Sequence, residues 1–230
     1  MELRPAPVQS TLRRPVFEGQ RPLTPAQQGT ALHMVMQYLN FDRTGSLAEI
    51  EDEISRLVLG QYITPQQGAA VDPADILKFF RSDLGRRLQS SPRVEREFKF
   101  SLLVPAADYY KEAEPGDEVL LQGVVDCWFT EADGSVTVVD FKTDRVTEAN
   151  LERRAENYRP QLDAYTRALS QAAGVTVKRR CLWFFSVGRA VELYKIRKFE
   201  KSSCIFPADV LRYVLRLQGA AMHNAEPQDF

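Results

Sequence analysis

Val136-Thr137-Val138-Val139-Asp140-Phe141-Lys142 is the stretch on which the fold turns. Its apolar run reads as a strand, and side chains along a strand alternate faces. Asp140 and Lys142 therefore point one way while Phe141 enters the opposite layer. One edge of a sheet then presents a carboxylate beside an ammonium, a pairing suited to holding a divalent cation near an attacking water. Upstream, Gly123-Val124-Val125-Asp126 places a second carboxylate on the preceding strand-like run. The Asp133-Gly134 turn joins the two runs as a hairpin.

Outward from that hairpin the pattern is mixed. Val94–Val104, Glu118–Thr130 and Val136–Phe141 predict three antiparallel strands in a meander. A helical stretch follows over roughly Glu148–Ala173, with Pro160 dividing it or opening its second part. Arg179–Val187 and Ala190–Ile196 predict a further strand pair across Gly188. On the other side, the first 90 residues are mainly helical. Thr24-Pro25-Ala26-Gln27 combines a cap, a proline at the first helical position and a capping box. Ser46-Leu47-Ala48-Glu49, Thr64-Pro65-Gln66-Gln67 and Asp72-Pro73-Ala74-Asp75 open three more helices. Residues 1–23 are proline-rich and aperiodic, a linker or tail, and Pro207–Met222 predicts a closing amphipathic helix. The expected class is α/β (α+β): a mixed central sheet flanked by helices, with a helical N-terminal part (24–90), a sheet core (93–200) and a C-terminal helix (207–222) in one domain, 24–230.

Bulk properties narrow the function. The chain has 230 residues, 44% hydrophobic and 27% charged, enough for one sizeable core in an ordinary globular protein. A net charge of −1 decides nothing about a nucleic-acid partner, since local patches bind phosphate in neutral chains. Cys127, Cys181 and Cys204 are scattered and lack CxxC spacing. They read as reduced thiols and exclude a cysteine-held iron–sulfur cluster or zinc knuckle. No apolar stretch approaches ~20 residues and no signal peptide opens the chain, so a cytoplasmic protein without a membrane partner is expected. No GxxxxGK[ST] is present, so this chain is not expected to bind ATP.

Four marks occur in order: Gly29-Thr30-Ala31-Leu32-His33, Gly123-Val124-Val125-Asp126, Asp140-Phe141-Lys142 and Gln161-Leu162-Asp163-Ala164-Tyr165. The order GxxxH, GxxD, DxK, QxxxY resembles the RecB-type nuclease domains of the PD-(D/E)XK superfamily. Within it the chain is most similar to the C-terminal nuclease domain of AddA, the helicase–nuclease subunit of bacterial AddAB enzymes. Leu23–His33 and Val138–Asp144 carry that likeness, which spans about residues 20–220. An AddA chain carries helicase domains ahead of its nuclease, and these are missing here.

The resemblance implies a restriction-endonuclease-like core and a metal-dependent DNA exonuclease that trims single-stranded DNA, or duplex ends, fed by a helicase. The implied partners are the AddA helicase domains and an AddB-like subunit. Mg²⁺ would be ligated by Asp126 and Asp140, with Mn²⁺ as the alternative, both hard ions that prefer oxygen. The Phe141 carbonyl and His33 would complete the protein's share of the shell. Lys142 would orient or deprotonate the attacking water. Gln161 would sit near that water or Lys142, and Tyr165 near a phosphate or base. Arg145, Arg153, Arg154 and Arg159 cluster nearby and would neutralise backbone charge. Glu97 matches an acidic position on the strand before GxxD and is given a supporting role.

Each mark also has a plainer reading. A lone DxK on a strand is more often a surface salt bridge, and His33 beside Leu32 and Val35 suits a core histidine. Gln161 and Tyr165 share a helix face at i,i+4 in any case. The arginines of 153–159 pair naturally with Glu152 and Glu156. A catalytically silent module that binds DNA ends or docks a partner is the competing function. Intact Asp126, Asp140 and Lys142 count against it.

Overall fold

The computed structural model describes residues 22–194. Helix starts follow local chemistry closely. α1 (Pro25–Tyr38), α2 (Leu47–Leu59) and α3 (Pro65–Ala69) each begin with a complete capping box, from Thr24/Gln27, Ser46/Glu49 and Thr64/Gln67. In each box the hydroxyl satisfies an orphan N–H of the first turn while the N3 side chain returns to the cap. Asp72 caps α4 (Pro73–Arg81). A separate helix not expected from the apolar pattern, α5 (Asp83–Gln89), starts at once from Ser82, whose hydroxyl accepts from Gly85 N. Its signal was Ser82-Asp83 followed by Arg86-Arg87, a cap with charges matched to the helix dipole.

The strands are β1 (Val94–Pro105), β2 (Glu118–Thr130), β3 (Val136–Lys142), β4 (Val177–Phe184) and β5 (Arg189–Glu192), in the order β1-β2-β3-β4-β5. The first three form the expected antiparallel meander. β4 runs parallel to β3, pairing Asp140 with Leu182 and Lys142 with Phe184. Parallel neighbours need a crossover, which α6 (Leu151–Glu156) and α7 (Arg159–Ala172) supply. The helical break falls at Asn157-Tyr158, just before Pro160, which occupies the first turn of α7. β4 and β5 are shorter than expected, and Phe185–Gly188 turn between them. The expected C-terminal helix, most of the proline-rich start, the end of the last strand at Ile196 and Cys204 lie outside the described residues.

The sheet separates two cores. One face packs on α1–α5, with Val139, Phe141, Cys127 and Trp183 meeting Val35, Ile50, Leu57 and Phe79. The other packs on α6 and α7, with Val136, Val138, Leu182 and Phe184 meeting Leu151, Leu162 and Leu169. β3 is buried along its whole length, as a central strand covered on both faces must be. Phe141 does enter the layer opposite to Asp140 and Lys142.

The β1–β2 ribbon changes sides part-way along. Val94 packs on the α1–α5 side, whereas Phe98, Phe100 and Leu102 pack towards α7. On β2, Leu121 and Val125 face α7, while Cys127 and Phe129 face the helical layer. The switch occurs at Glu97, whose φ of 54° lies in the left-handed region, and at Asp126 across from it.

Candidate active site

Asp140 and Lys142 leave the C-terminal end of β3 on the α7 side, next to the start of the crossover. There Lys142 Nζ lies 2.5 Å from Asp140 Oδ2 and donates to Gln161 Oε1 at 2.9 Å. Gln161 Nε2 donates to the Tyr165 hydroxyl at 2.6 Å. The i,i+4 spacing on α7 thus produces a relay: Tyr165 orients the Gln161 amide, and the amide oxygen holds the lysine. The Tyr165 ring packs edge-on against Phe100, with centroids 6.0 Å apart.

Two motif glycines follow from close approach. A Cβ on Gly123 would come within 2.7 Å of the Phe100 ring, so the glycine of GxxD leaves space for the aromatic that supports Tyr165. A Cβ on Gly29 would come within 2.7 Å of Thr143 Oγ1. The glycine of GxxxH therefore lets α1 lie against the residue following Lys142, which carries His33 to the site from the other layer.

His33 Nδ1 is 3.5 Å from Asp126 Oδ2. That same oxygen accepts the Phe141 N–H at 2.8 Å, and the imidazole bonds the Phe141 main chain. Burial holds His33 below its ordinary pKa against the opposing pull of Asp140, so the ring is neutral and able to donate an electron pair. Burial, and then repulsion from Asp140, pushes the Asp126 carboxyl well above the usual carboxylate range. Burial also raises Glu97, which acts on both His33 and Asp126.

His33, Asp126, Phe141, Asp140, Lys142, Gln161 and Glu97 are thus brought together. Tyr165 is 6% exposed and joins this group through the Gln161 amide, with its ring in the α7-side core. Its burial follows from the Phe100 contact. Arg154 is engaged by Asp144 at 2.7 Å, and Arg159 by Glu156 at 2.6 Å and by the Tyr194 carbonyl. Arg145 and Arg153 are exposed and form no ion pair among the described residues, so of the four arginines these two are free to meet an anion. The spacing gave no notice of Tyr158, whose ring lies over Lys142 Nζ. It stands one helical turn before Gln161, and that offset was its only signal.

The donor set suits a hard divalent cation. Asp126, Asp140 and the neutral His33 imidazole lie within electrostatic reach of the Lys142 ammonium, and Asp140 Oδ2, fully buried, makes no hydrogen bond but is ion-paired with it. A buried carboxylate is costly unless a cation pairs with it, and the Lys142 ammonium stands in that place here. Among the described residues no three His, Cys, Asp or Glu side chains are splayed as a ready-made cage. Asp126 is instead turned onto the Phe141 N–H, and Asp140 onto Lys142. No helix of the described residues is long and apolar enough to cross a membrane.

The PD-(D/E)XK nuclease superfamily profile matches residues 8–228. The ATP-dependent helicase/nuclease subunit AddA of Acetivibrio thermocellus is 40% identical over 183 residues, 77% of this chain and 14% of that protein. The protein of the same name from Clostridium botulinum is 35% identical over 187 residues, 79% of this chain and 14% of its own length. The chain thus spans about one seventh of the curated relatives it matches.

Proposed function

The chain belongs to the PD-(D/E)XK nuclease superfamily, and from that premise we propose that it is the nuclease part of an AddA-like helicase–nuclease. In this reading it hydrolyses phosphodiester bonds of single-stranded DNA delivered by a motor during double-strand-break processing in the cytoplasm. One observation carries the proposal: Lys142 is held between Asp140 and Gln161 at a sheet end that also gathers Asp126 and His33.

The residues divide the work. Asp126, Asp140, His33 and the Phe141 carbonyl would hold Mg²⁺ or Mn²⁺, which when bound polarises the phosphate and makes hydroxide available near neutral pH. Lys142 orients the nucleophile and offsets charge growing on the phosphate. Gln161 keeps the ammonium in place at 2.9 Å, so little reorganisation is needed as charge develops. Arg145 and Arg153 neutralise backbone phosphates. Phosphate contacts carry no base information, so cleavage has little sequence preference. The family implies products with a 5′-phosphate and a 3′-hydroxyl. Helicase domains are the partner that the relatives' names suggest, and an AddB-like subunit is the one that the family resemblance implies.

Asp140→Asn and Lys142→Ala should each lower Mg²⁺-dependent cleavage of single-stranded DNA by at least about 10³-fold, with circular dichroism showing that the fold is retained even though loss of the buried pair lowers the melting temperature. Undiminished cleavage by either purified variant sinks the assignment. DNA binding by the wild type without any cleavage would leave the silent end-binding module.

A further inference from the structure

Lys142 has a third neighbour besides Asp140 and Gln161. The Tyr158 ring centroid is 3.9 Å from Nζ. We propose that Tyr158 is a positioning residue for Lys142, its ring seating the ammonium between Asp140 and Gln161. The proposal rests on the hydrolytic role given to Lys142 above.

An ammonium has three N–H donors. Gln161 Oε1 accepts one of them at 2.9 Å, and the ion pair with Asp140 Oδ2 at 2.5 Å covers a second side. A tyrosine face attracts a cation through its quadrupole and uses no lone pair. It can therefore hold the charge from one side while the remaining donor stays available for a water or a phosphate oxygen. A fourth carboxylate or carbonyl in that place would take the donor away.

The ring is itself fixed from several directions. Its hydroxyl donates to Asp144 Oδ2. Arg154 donates to the same Asp144 oxygen at 2.7 Å and to the phenol oxygen at 3.2 Å. Phe184, which pairs with Lys142 across β3 and β4, lies 6.3 Å away by ring centroids. The Tyr158 carbonyl accepts Leu162 N–H at 3.1 Å, tying the residue to the first turn of the helix that carries Gln161. The break between α6 and α7 places the ring over the strand end. One aromatic side chain thus couples the lysine to the helix holding its amide partner. A packing role alone needs only the volume of the ring; a positioning role needs its electrons.

The test uses the 230-residue chain with phenylalanine, or phenylalanine bearing one, two or three ring fluorines, at position 158. Shape is kept while the negative face of the ring fades. Tyr158→Phe should cost about threefold in kcat, from lost anchorage at Asp144, and the fluorinated series should bring the loss to about tenfold with KM for single-stranded DNA within about twofold. Tyr158→Met, which keeps apolar volume without a π face, should match the trifluorinated chain. Reductive methylation followed by mass spectrometry gives a readout independent of catalysis: Lys142 should become more readily modified as the ring is fluorinated. A flat series in both kcat and labelling overturns the proposal, as does a loss that appears only in KM. If the wild type cleaves nothing, or Lys142→Ala cleaves normally, the nuclease reading fails, while the labelling series still decides whether Tyr158 holds the lysine.

Discussion

Glu53 and Asp140 are both carboxylates withdrawn from water, and their surroundings treat them oppositely. Glu53, 1% exposed, accepts from Asn40 N at 3.0 Å, Arg43 Nη1 at 3.2 Å, and Arg56 Nε and Nη2 at 3.0 and 2.7 Å. Arg56 in turn donates to the Tyr38 carbonyl, so the group closes the end of α1 onto α2. Asp140 keeps an oxygen without any hydrogen bond. The first is closed off by four hydrogen bonds, and the second is held on that oxygen by the Lys142 ion pair. The bonds from Arg56 hold Glu53 below its ordinary pKa. A depressed folded value means its stabilisation is present above the unfolded value, about 4.3, and is lost as pH falls through the folded value. Glu53→Gln should therefore cost about 3 kcal/mol in urea unfolding at pH 7 and flatten the acid limb of the stability profile. An unaltered acid limb would contradict this role. Gln161→Ala should slow turnover more than it weakens DNA binding, measured by single-turnover kinetics against equilibrium titration; equal losses would make it a binding residue. Asp126, Asp140 and Lys142 were legible in the sequence because their chemistry is local to strands. Glu53 and Tyr158 were not, because Glu53 is completed by the loop residues Asn40 and Arg43 folding back on α2 and Tyr158 stands at a helix break.

At the scale of elements, the strands and caps were readable and the change of side in the β1–β2 ribbon was not. Alternation along Val94–Pro105 looks regular only if the ribbon keeps one face. The left-handed backbone at Glu97 exchanges the faces, so even-numbered residues serve the helical layer before it and the α7 layer after it. Nothing in Glu95-Arg96-Glu97-Phe98 demands a positive φ, since the demand arises from two cores competing for one ribbon. A non-glycine residue there carries on the order of 1–3 kcal/mol of strain. Glu97→Gly should raise stability by about 1 kcal/mol and Glu97→Val should lower it by about 2 kcal/mol, read by denaturant midpoints. Destabilisation by glycine would show that the Glu97 side chain, not its backbone, holds the crossing. Arg96 works beside it, donating to Met36 O and Leu39 O at the end of α1 at 3.2 and 2.7 Å, which locks the ribbon to the first helix.

Across the whole molecule, two apolar layers share one five-stranded sheet. The inner face of the sheet towards α1–α5 includes Cys127, Phe129, Phe141 and Trp183, all buried. A fragment beginning at Arg93 would expose that face to water, and large exposed apolar patches are not tolerated in a stable monomer. Such a fragment should show no cooperative thermal transition and should bind a hydrophobic dye; a sharp transition would mean that the layers are independent. A central sheet flanked by helices was legible; which helices cover which face of β3 was not, because that assignment is made by contacts between remote segments.

His33 reaches the site from the α1 layer, Gln161 from the α7 layer, and the acids from the sheet between them. The full group is therefore divided between the two halves of the protein. On the nuclease reading, the imidazole joins the acids and the lysine only after both halves have closed on the strand they share.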